Sequence, residues 1–148
     1  MYVIDACVYV SSIRAQEPHH QASRSFLNEV RARRAVVKSP ETLVPEVAGV
    51  LGRGTEGSAQ GIGYAMALRK LPHHEFFAVD RQLADLAATV GALQGLKGMD
   101  ALYAALAHQE SARLITVDDE LVDRAPSGSQ VATPADELFR LTGHRIIP

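Results

Sequence analysis

Short apolar runs alternate along the chain with longer stretches in which apolar residues recur every three or four positions. The runs are "YVIDA" (Tyr2 to Ala6), "AVVK" (Ala35 to Lys38), "EFFAV" (Glu75 to Val79) and "RLITV" (Arg113 to Val117), with a weaker one around Gln130 to Ala132. Continuous rather than alternating apolar character predicts strands buried on both faces. Between them, "HHQASRSFLNEVRARR" (His19 to Arg34) sets Ala22, Phe26 and Val30 at helical spacing, with Leu27 beside them, and predicts an amphipathic helix. "SPETLVPEVAGVL" predicts a helix with Ser39 as its N-cap and Pro40 at its first position, and with Pro45 either bending it or moving its start. "SAQGIGYAMALRKL" predicts a helix weakened by glycine, and Asp80 a cap for "RQLADLAATVGAL". A further helix holds "GMDALYAALA", with Asp100 in its first turn, and a last one starts from Pro134.

Strands that alternate with helices and are covered on both faces predict an α/β protein, with a central parallel sheet of four to five strands between helical layers. No repeat, charged block or low-complexity linker divides the chain, so residues 1–148 are expected to form one domain. Composition changes this picture little. Hydrophobic residues make up 47%, which suits a globular core, and a net charge of -2 does not advertise nucleic acid, although a local cationic strip would suffice to bind it. The single cysteine, Cys7, allows no internal disulfide and fits a reducing compartment. "MYVIDACV" has no basic lead-in and carries an acid inside its apolar run, unlike a signal peptide. No apolar stretch approaches the roughly 20 residues of a membrane span. The expectation is a soluble cytoplasmic domain with no membrane partner.

In open parallel sheets ligands bind beyond the carboxyl ends of the strands, so acids that reach that edge are of interest. Asp5 ends the first strand, Asp80 the third, and Asp118 and Asp119 follow the fourth in "ITVDDEL". Asp100 follows the "GLKG" loop, and Glu46 lies in the helix after the second strand, with apolar Leu43 and Val50 as its neighbours on one face. Asp80 is sufficiently explained as a cap, and Asp119 as a solvated acid favoured by the helix dipole. Asp118 and Asp100 could serve the same local roles, and Glu46 could pair with an arginine. Asp5 is hardest to explain locally, unless the chain turns into a helix there at once. Taken together, Asp5, Glu46, Asp100 and Asp118 map to one edge, and no Lys or Arg falls among them by the same reasoning. Crowded carboxylates repel and take up protons or cations. Mg²⁺ or Mn²⁺, hard ions with oxygen ligands, are the natural counter-charge, and the lack of a convergent His or Cys argues against zinc.

"DACV" at the first strand, "PEVAGVL", the "GMDALYAALA" helix and "LITVDDEL" together resemble a PIN-domain ribonuclease, and most of all the VapC-type toxins of toxin–antitoxin pairs. The likeness runs from Met1 to roughly Phe139. It implies a PIN-like three-layer α/β/α sandwich and a Mg²⁺- or Mn²⁺-dependent endoribonuclease. Such an enzyme cuts single-stranded RNA with metal-activated water, leaving a 5′-phosphate and a 3′-hydroxyl. The resemblance places the metal-binding, catalytic acids at Asp5, Glu46, Asp100 and Asp118. Thr116 matches its hydroxyl position and is expected to hold a carboxylate or water, and Asp119 is a possible supplement. Cys7 stands where the family often has Ser or Asn. A small antitoxin partner and a homodimer are implied as well. Alternatives are a PIN nuclease of RNA processing without an antitoxin, and a non-catalytic interaction domain of the same fold.

Other signals carry less. "GRGTEG" (Gly52 to Gly57) spells a dinucleotide fingerprint but follows a helix rather than a strand, and reads as a flexible loop. The two His-His pairs cannot share a helix face and read as surface or capping residues. Arg31, Arg33, Arg34 and Lys38 form the densest basic cluster, but at a helix C-terminus on the edge away from the acids. Arg14, Arg53, Arg81 and Lys97 lie nearer the acids and are the candidate RNA phosphate contacts, Arg14 and Lys97 foremost. The helices around Ala22 to Val30 and Ala59 to Leu71 carry apolar stripes suited either to a partner groove or to the core.

Overall fold

Tyr2, Val3 and Ile4 are all buried, as a strand with helices on both sides requires. They form β1 (Tyr2–Ile4) at the centre of a five-stranded, all-parallel sheet in a computed structural model that describes residues 1–144. The other strands are β2 (Val37–Pro40), β3 (His74–Phe77), β4 (Arg113–Ile115) and β5 (Val131–Ala132), in the order β3-β2-β1-β4-β5. Tyr2 is in register with Val37 on one side and Arg113 on the other. The helices are α1 (Ala6–Ile13), α2 (His20–Ala32), α3 (Leu43–Gly52), α4 (Gly57–Leu68), α5 (Arg81–Gln94), α6 (Gly98–Gln109), α7 (Asp119–Arg124) and α8 (Pro134–Thr142). Helix α6 lies across β1, β2 and β4 and packs on α5, while α1 packs on α2 and α3, α3 on α4, and α2 on α8. The result is the expected three-layer α/β/α sandwich. No helix of the described residues is long and apolar enough to cross a membrane.

The chain builds β1, β2 and β3 to one side, then returns past β1 to build β4 and β5 on the other. Neighbouring strands whose connections leave in opposite directions open a crevice at their carboxyl ends, and here that crevice lies between β1 and β4. Helix α6 ends at Gln109, close before β4 begins at Arg113, so its N-terminal turn lies at the carboxyl edge. It is buried nearly all round, with Ala101, Ala104, Ala105 and Ala107 allowing close approach to the sheet and Tyr103 and Leu106 filling the core.

Several elements differ from the sequence expectation. The strand expected to run to Ala6 stops at Ile4, and "ACVYVSSI" is a helix that the β-branched run disguised. Ser39 and Pro40 belong to β2 rather than to a helix start, and Ser39 Oγ is bonded to His74 Nε2 at 2.8 Å. The helix begins at Leu43, with Pro45 in its first turn, where no amide proton is needed. The third and fourth strands end earlier than read, at Phe77 and Ile115. His74 is half-buried rather than a surface residue: its ring stacks on Phe76 at 4.5 Å between centroids and faces Tyr9 at 6.2 Å. The glycines of α4 also have a purpose. A Cβ on Gly61 would sit 2.7 Å from the Gly52 amide nitrogen and 3.0 Å from the Ala48 carbonyl, so Gly61 is what lets α4 cross α3 closely.

Candidate active site

The four acids reach the β1/β4 crevice from four separate segments. Asp5 follows β1 directly and is 4% exposed. The chain does turn there, because Asp5 is the N-cap of α1, its Oδ1 accepting from the Cys7 amide at 3.4 Å. That long cap bond is only part of its role. Its Oδ2 accepts the Thr116 hydroxyl at 2.7 Å and lies 2.8 Å from the Cys7 thiol, which donates to it. Thr116, fully buried in the residue after β4, also accepts the Asp118 amide at 3.0 Å. One hydroxyl therefore fixes the end of β1 against the turn that carries Asp118.

Asp118 caps α7, with Oδ1 accepting from the Glu120 and Leu121 amides at 2.8 and 3.2 Å; its Oδ2 makes no hydrogen bond among the described residues. Glu46 stands in the first turn of α3 and accepts the Tyr103 hydroxyl on Oε2 at 2.8 Å, leaving Oε1 open. Asp100, half-buried in the first turn of α6, has no hydrogen-bond partner among the described residues. None of these four acids forms an ion pair with a described Lys, Arg or His.

Their electrostatics show that they lie close enough to feel one another's charge. Burial raises the Asp5 carboxyl above the usual range, its hydrogen bonds oppose this, and the charge of Asp118 adds to it. Glu46 is raised by burial and by the charges of Asp5 and Asp100, against the hydrogen bond from Tyr103. Asp100 is raised by burial and by Asp5 and Asp118, with Lys97 opposing. Each of the three is thus penalised for its charge by at least one of the others, as expected of carboxylates crowded without cations.

The donor set fits a hard divalent ion in kind: all oxygen, anionic, with oxygens of Asp118, Glu46 and Asp100 uncommitted. The side chains are not drawn into a closed cage; among the described residues no three His, Cys, Asp or Glu side chains gather tightly enough to hold an ion by themselves. Mg²⁺ does not require one, since it keeps several waters and binds through one or two carboxylates plus substrate oxygens.

The supporting residues divide. Asp119 is exposed and makes no hydrogen bond or ion pair with this network among the described residues. Lys97 is exposed, close enough to Asp100 to act on its charge, and pairs with Glu120 at 3.4 Å. Arg14 is committed elsewhere: its guanidinium forks onto Glu56 at 3.0 and 3.1 Å and donates to the Val50 carbonyl at 3.0 Å. This clasp lies over Gly54, where a Cβ would come within 2.1 Å of the Arg14 guanidinium, so the "GRGTEG" segment is pinned rather than flexible. Its charge is paired with Glu56 and its Nε and Nη2 are engaged, which argues against Arg14 as a phosphate contact. One group was missed in the sequence, Tyr103; Cys7, noted there at the Ser or Asn position, keeps a polar contact with Asp5 through its thiol. Tyr103 looks like one more apolar residue of a core helix, and only the fold sets its hydroxyl against Glu46.

No curated protein matches the chain. Solved structures do, at low identity. VapC20 of Mycobacterium tuberculosis, described as a sarcin-ricin loop cleaving toxin, superposes with a TM-score of 0.71 at 13% identity, over 83% of this chain and 94% of its own. FitAcB of Neisseria gonorrhoeae gives 0.68 at 19% identity, over 90% and 98%. A toxin–antitoxin complex from Klebsiella pneumoniae gives 0.67 at 16% identity, over 90% and 98%. At such identities these likenesses establish a shared fold. Residues 2–126 match the PIN domain, a family of nucleases that generally use divalent metal ions. That match covers most of the sequence and every acid of the β1/β4 crevice, and the chain belongs to the PIN domain family.

Proposed function

We propose that this protein is a Mg²⁺- or Mn²⁺-dependent endoribonuclease that cleaves single-stranded RNA, and that it is the toxin of a toxin–antitoxin pair. One observation carries the nuclease reading: four carboxylates from the end of β1, α3, α6 and the β4–α7 turn converge on the sheet's switch point with no cation of the described residues paired to them. Asp5, Asp100 and Asp118 would hold the ion, with Glu46 completing the set from α3. A bound divalent ion supplies a hydroxide near neutral pH and neutralises charge developing on the phosphoryl oxygens. The chain's own part is to aim the carboxylates. Thr116 and the Cys7 thiol fix Asp5, and the α7 amides hold one oxygen of Asp118 so that the other is presented to the crevice. Lys97 stands beside Asp100 as a contact for an RNA phosphate.

The test is incubation with total and transfer RNA, with Mg²⁺ or with a chelator, followed by mapping of the cut ends. Metal-dependent cuts bearing 5′-phosphates, absent in Asp100→Asn, are expected. Cleavage that persists in chelator, or in the variant, overturns the reading.

The antitoxin has a suitable seat. A groove of about 420 Å³ runs between α2 and α4, walled by Ile13, Leu27, Val30, Tyr64, Leu68 and Leu71. Tyr64 and Leu71 are exposed apolar residues there, and Arg31 and Arg34 stand on the groove wall. The groove suits a partner segment with an apolar stripe and acidic flanks. Structures of this fold in complexes with antitoxins favour the same reading. A short open reading frame beside the gene, whose product binds this protein and suppresses cleavage, is the expected finding. A homodimer belongs to the same reading and is checked by light scattering.

A further inference from the structure

Glu46 has the longest reach of the four acids and the most side-chain freedom to lose on being placed. Among the described residues one hydrogen bond holds it, from the Tyr103 hydroxyl to Oε2 at 2.8 Å. Tyr103 is itself packed on every side. Its side chain is completely buried, on a helix whose neighbouring Ala101, Ala104 and Ala105 are buried as well. It lies three residues beyond Asp100, on the same face of α6. Helix α6 therefore contributes twice to the pocket: with one carboxylate of its own, and with a rigid donor that sets the carboxylate of another helix. A neutral phenol has one proton to donate and spends it on Oε2, so Oε1 is the oxygen left for the pocket.

We infer that Tyr103 is a positioning residue for the divalent-ion site, acting through Glu46 by holding Oε2 so that Oε1 is presented to the cluster formed with Asp5, Asp100 and Asp118. This rests on the reading of the four acids as the metal site. A tyrosine that only filled the core would use its ring for packing, and removal of its hydroxyl would change stability without regard to Glu46. A positioning tyrosine is different, because its hydroxyl matters only while Glu46 is a carboxylate. Hydrogen-bonding partners of metal ligands commonly change metal affinity by about 10- to 100-fold when removed.

The experiment is calorimetric titration of Mn²⁺ into the full chain as wild type, Tyr103→Phe, Glu46→Gln and the double variant, with thermal melts of each in chelator. Tyr103→Phe is expected to bind Mn²⁺ about tenfold or more weakly, with its melting temperature within a few degrees of wild type. In the Glu46→Gln background the same change should make no further difference. With RNA as substrate, excess Mn²⁺ should restore cleavage by Tyr103→Phe, with KM for RNA unchanged. Unaltered Mn²⁺ affinity in Tyr103→Phe while Glu46→Gln weakens it overturns this inference and leaves the metal reading intact. An equal loss in both backgrounds does the same. Absence of Mn²⁺ binding by the wild-type protein overturns the metal reading and this inference together.

Discussion

Thr116 is the smallest group on which the site's shape depends, and Thr116→Val is the most informative perturbation of it. Valine is close to threonine in shape and keeps the buried methyl group, but it replaces the hydroxyl by a methyl facing the Asp5 carboxylate, so the hydroxyl is lost and the polar pocket must accommodate an apolar group. Two hydrogen bonds go with the hydroxyl: donation to the Asp5 carboxylate at 2.7 Å and acceptance from the Asp118 amide at 3.0 Å. A hydrogen bond to a charged group contributes about 1.5–3 kcal/mol, and an amide left without a partner costs about 1–3 kcal/mol. Asp118 is partly exposed, which puts the second term at its lower end. The expected loss is about 3 kcal/mol, a large share of the roughly 5–15 kcal/mol that holds a domain together. Thr116→Ser is the matched control: it keeps both bonds and removes one fully buried methyl, at about 1 kcal/mol. Urea unfolding of the three proteins measures both differences, and RNA cleavage should survive in the serine variant and fall in the valine variant. Valine proving no worse than serine would refute the reasoning, because the hydroxyl would then be shown not to brace β1 against the β4–α7 turn.

Asp100→Asn should abolish cleavage yet raise the melting temperature of the metal-free protein slightly, by about 1 kcal/mol of relieved repulsion, read as a melt in chelator; a lowered melt would show that Asp100 has a stabilising partner. Gly61→Ala should destabilise, because overpacking against the α3 backbone at about 1–3 kcal/mol exceeds the roughly 1 kcal/mol that alanine gains in a helix. Gly63→Ala, whose Cβ meets nothing within 4 Å, should stabilise, and paired denaturation curves compare the two. His74 is pushed down to about 4 by burial, so it stays neutral in the fold where the unfolded chain would bind a proton. Above pH 6.5 it contributes no pH dependence; as pH falls from 6.5 towards 4 the unfolded state gains protons and stability is lost, by at most about 3 kcal/mol and less as water reaches the ring. Asp5, Glu46 and Asp100, all raised, act with the opposite sign. The quantity to measure is therefore the difference between wild type and His74→Gln across that range, whose dependence on pH should vanish well above pH 6.5.

The strand–helix alternation, the parallel sheet and the candidate acids near its carboxyl edge were legible in the order of residues, because each leaves a local trace. Continuous apolar runs mark doubly covered strands, three- to four-residue spacing marks helices, and an acid beside such a run stands out against it. Asp80 as a cap was legible for the same reason, and the structure has it accepting the Leu83 amide at 2.9 Å. What failed was also local in origin. "ACVYVSSI" has the composition of a strand, and only packing of α1 on α2 and α3 makes it a helix. Ser39 and Pro40 have the sequence of a helix start, and only pairing with β3 makes them a strand.

The partners of the acids were only partly legible. The resemblance offered Thr116 as a hydroxyl that would hold a carboxylate or water, but which acid it holds, 111 residues away at Asp5, and the bond from Tyr103 to Glu46, 57 residues apart, came from the fold. Nothing in either neighbourhood records the other, since a hydrogen bond depends on where two segments meet and not on what precedes them. Arg14 shows the converse, a cation that looked available from its place in the chain and that the fold ties to Glu56 across 42 residues. The amino-acid order by itself determined the strand–helix alternation and offered the acids that could reach the sheet's carboxyl edge. The tertiary structure alone decided which oxygens are held, which are left open and which cations are already taken, because those depend on angstrom-scale distances between segments remote along the chain.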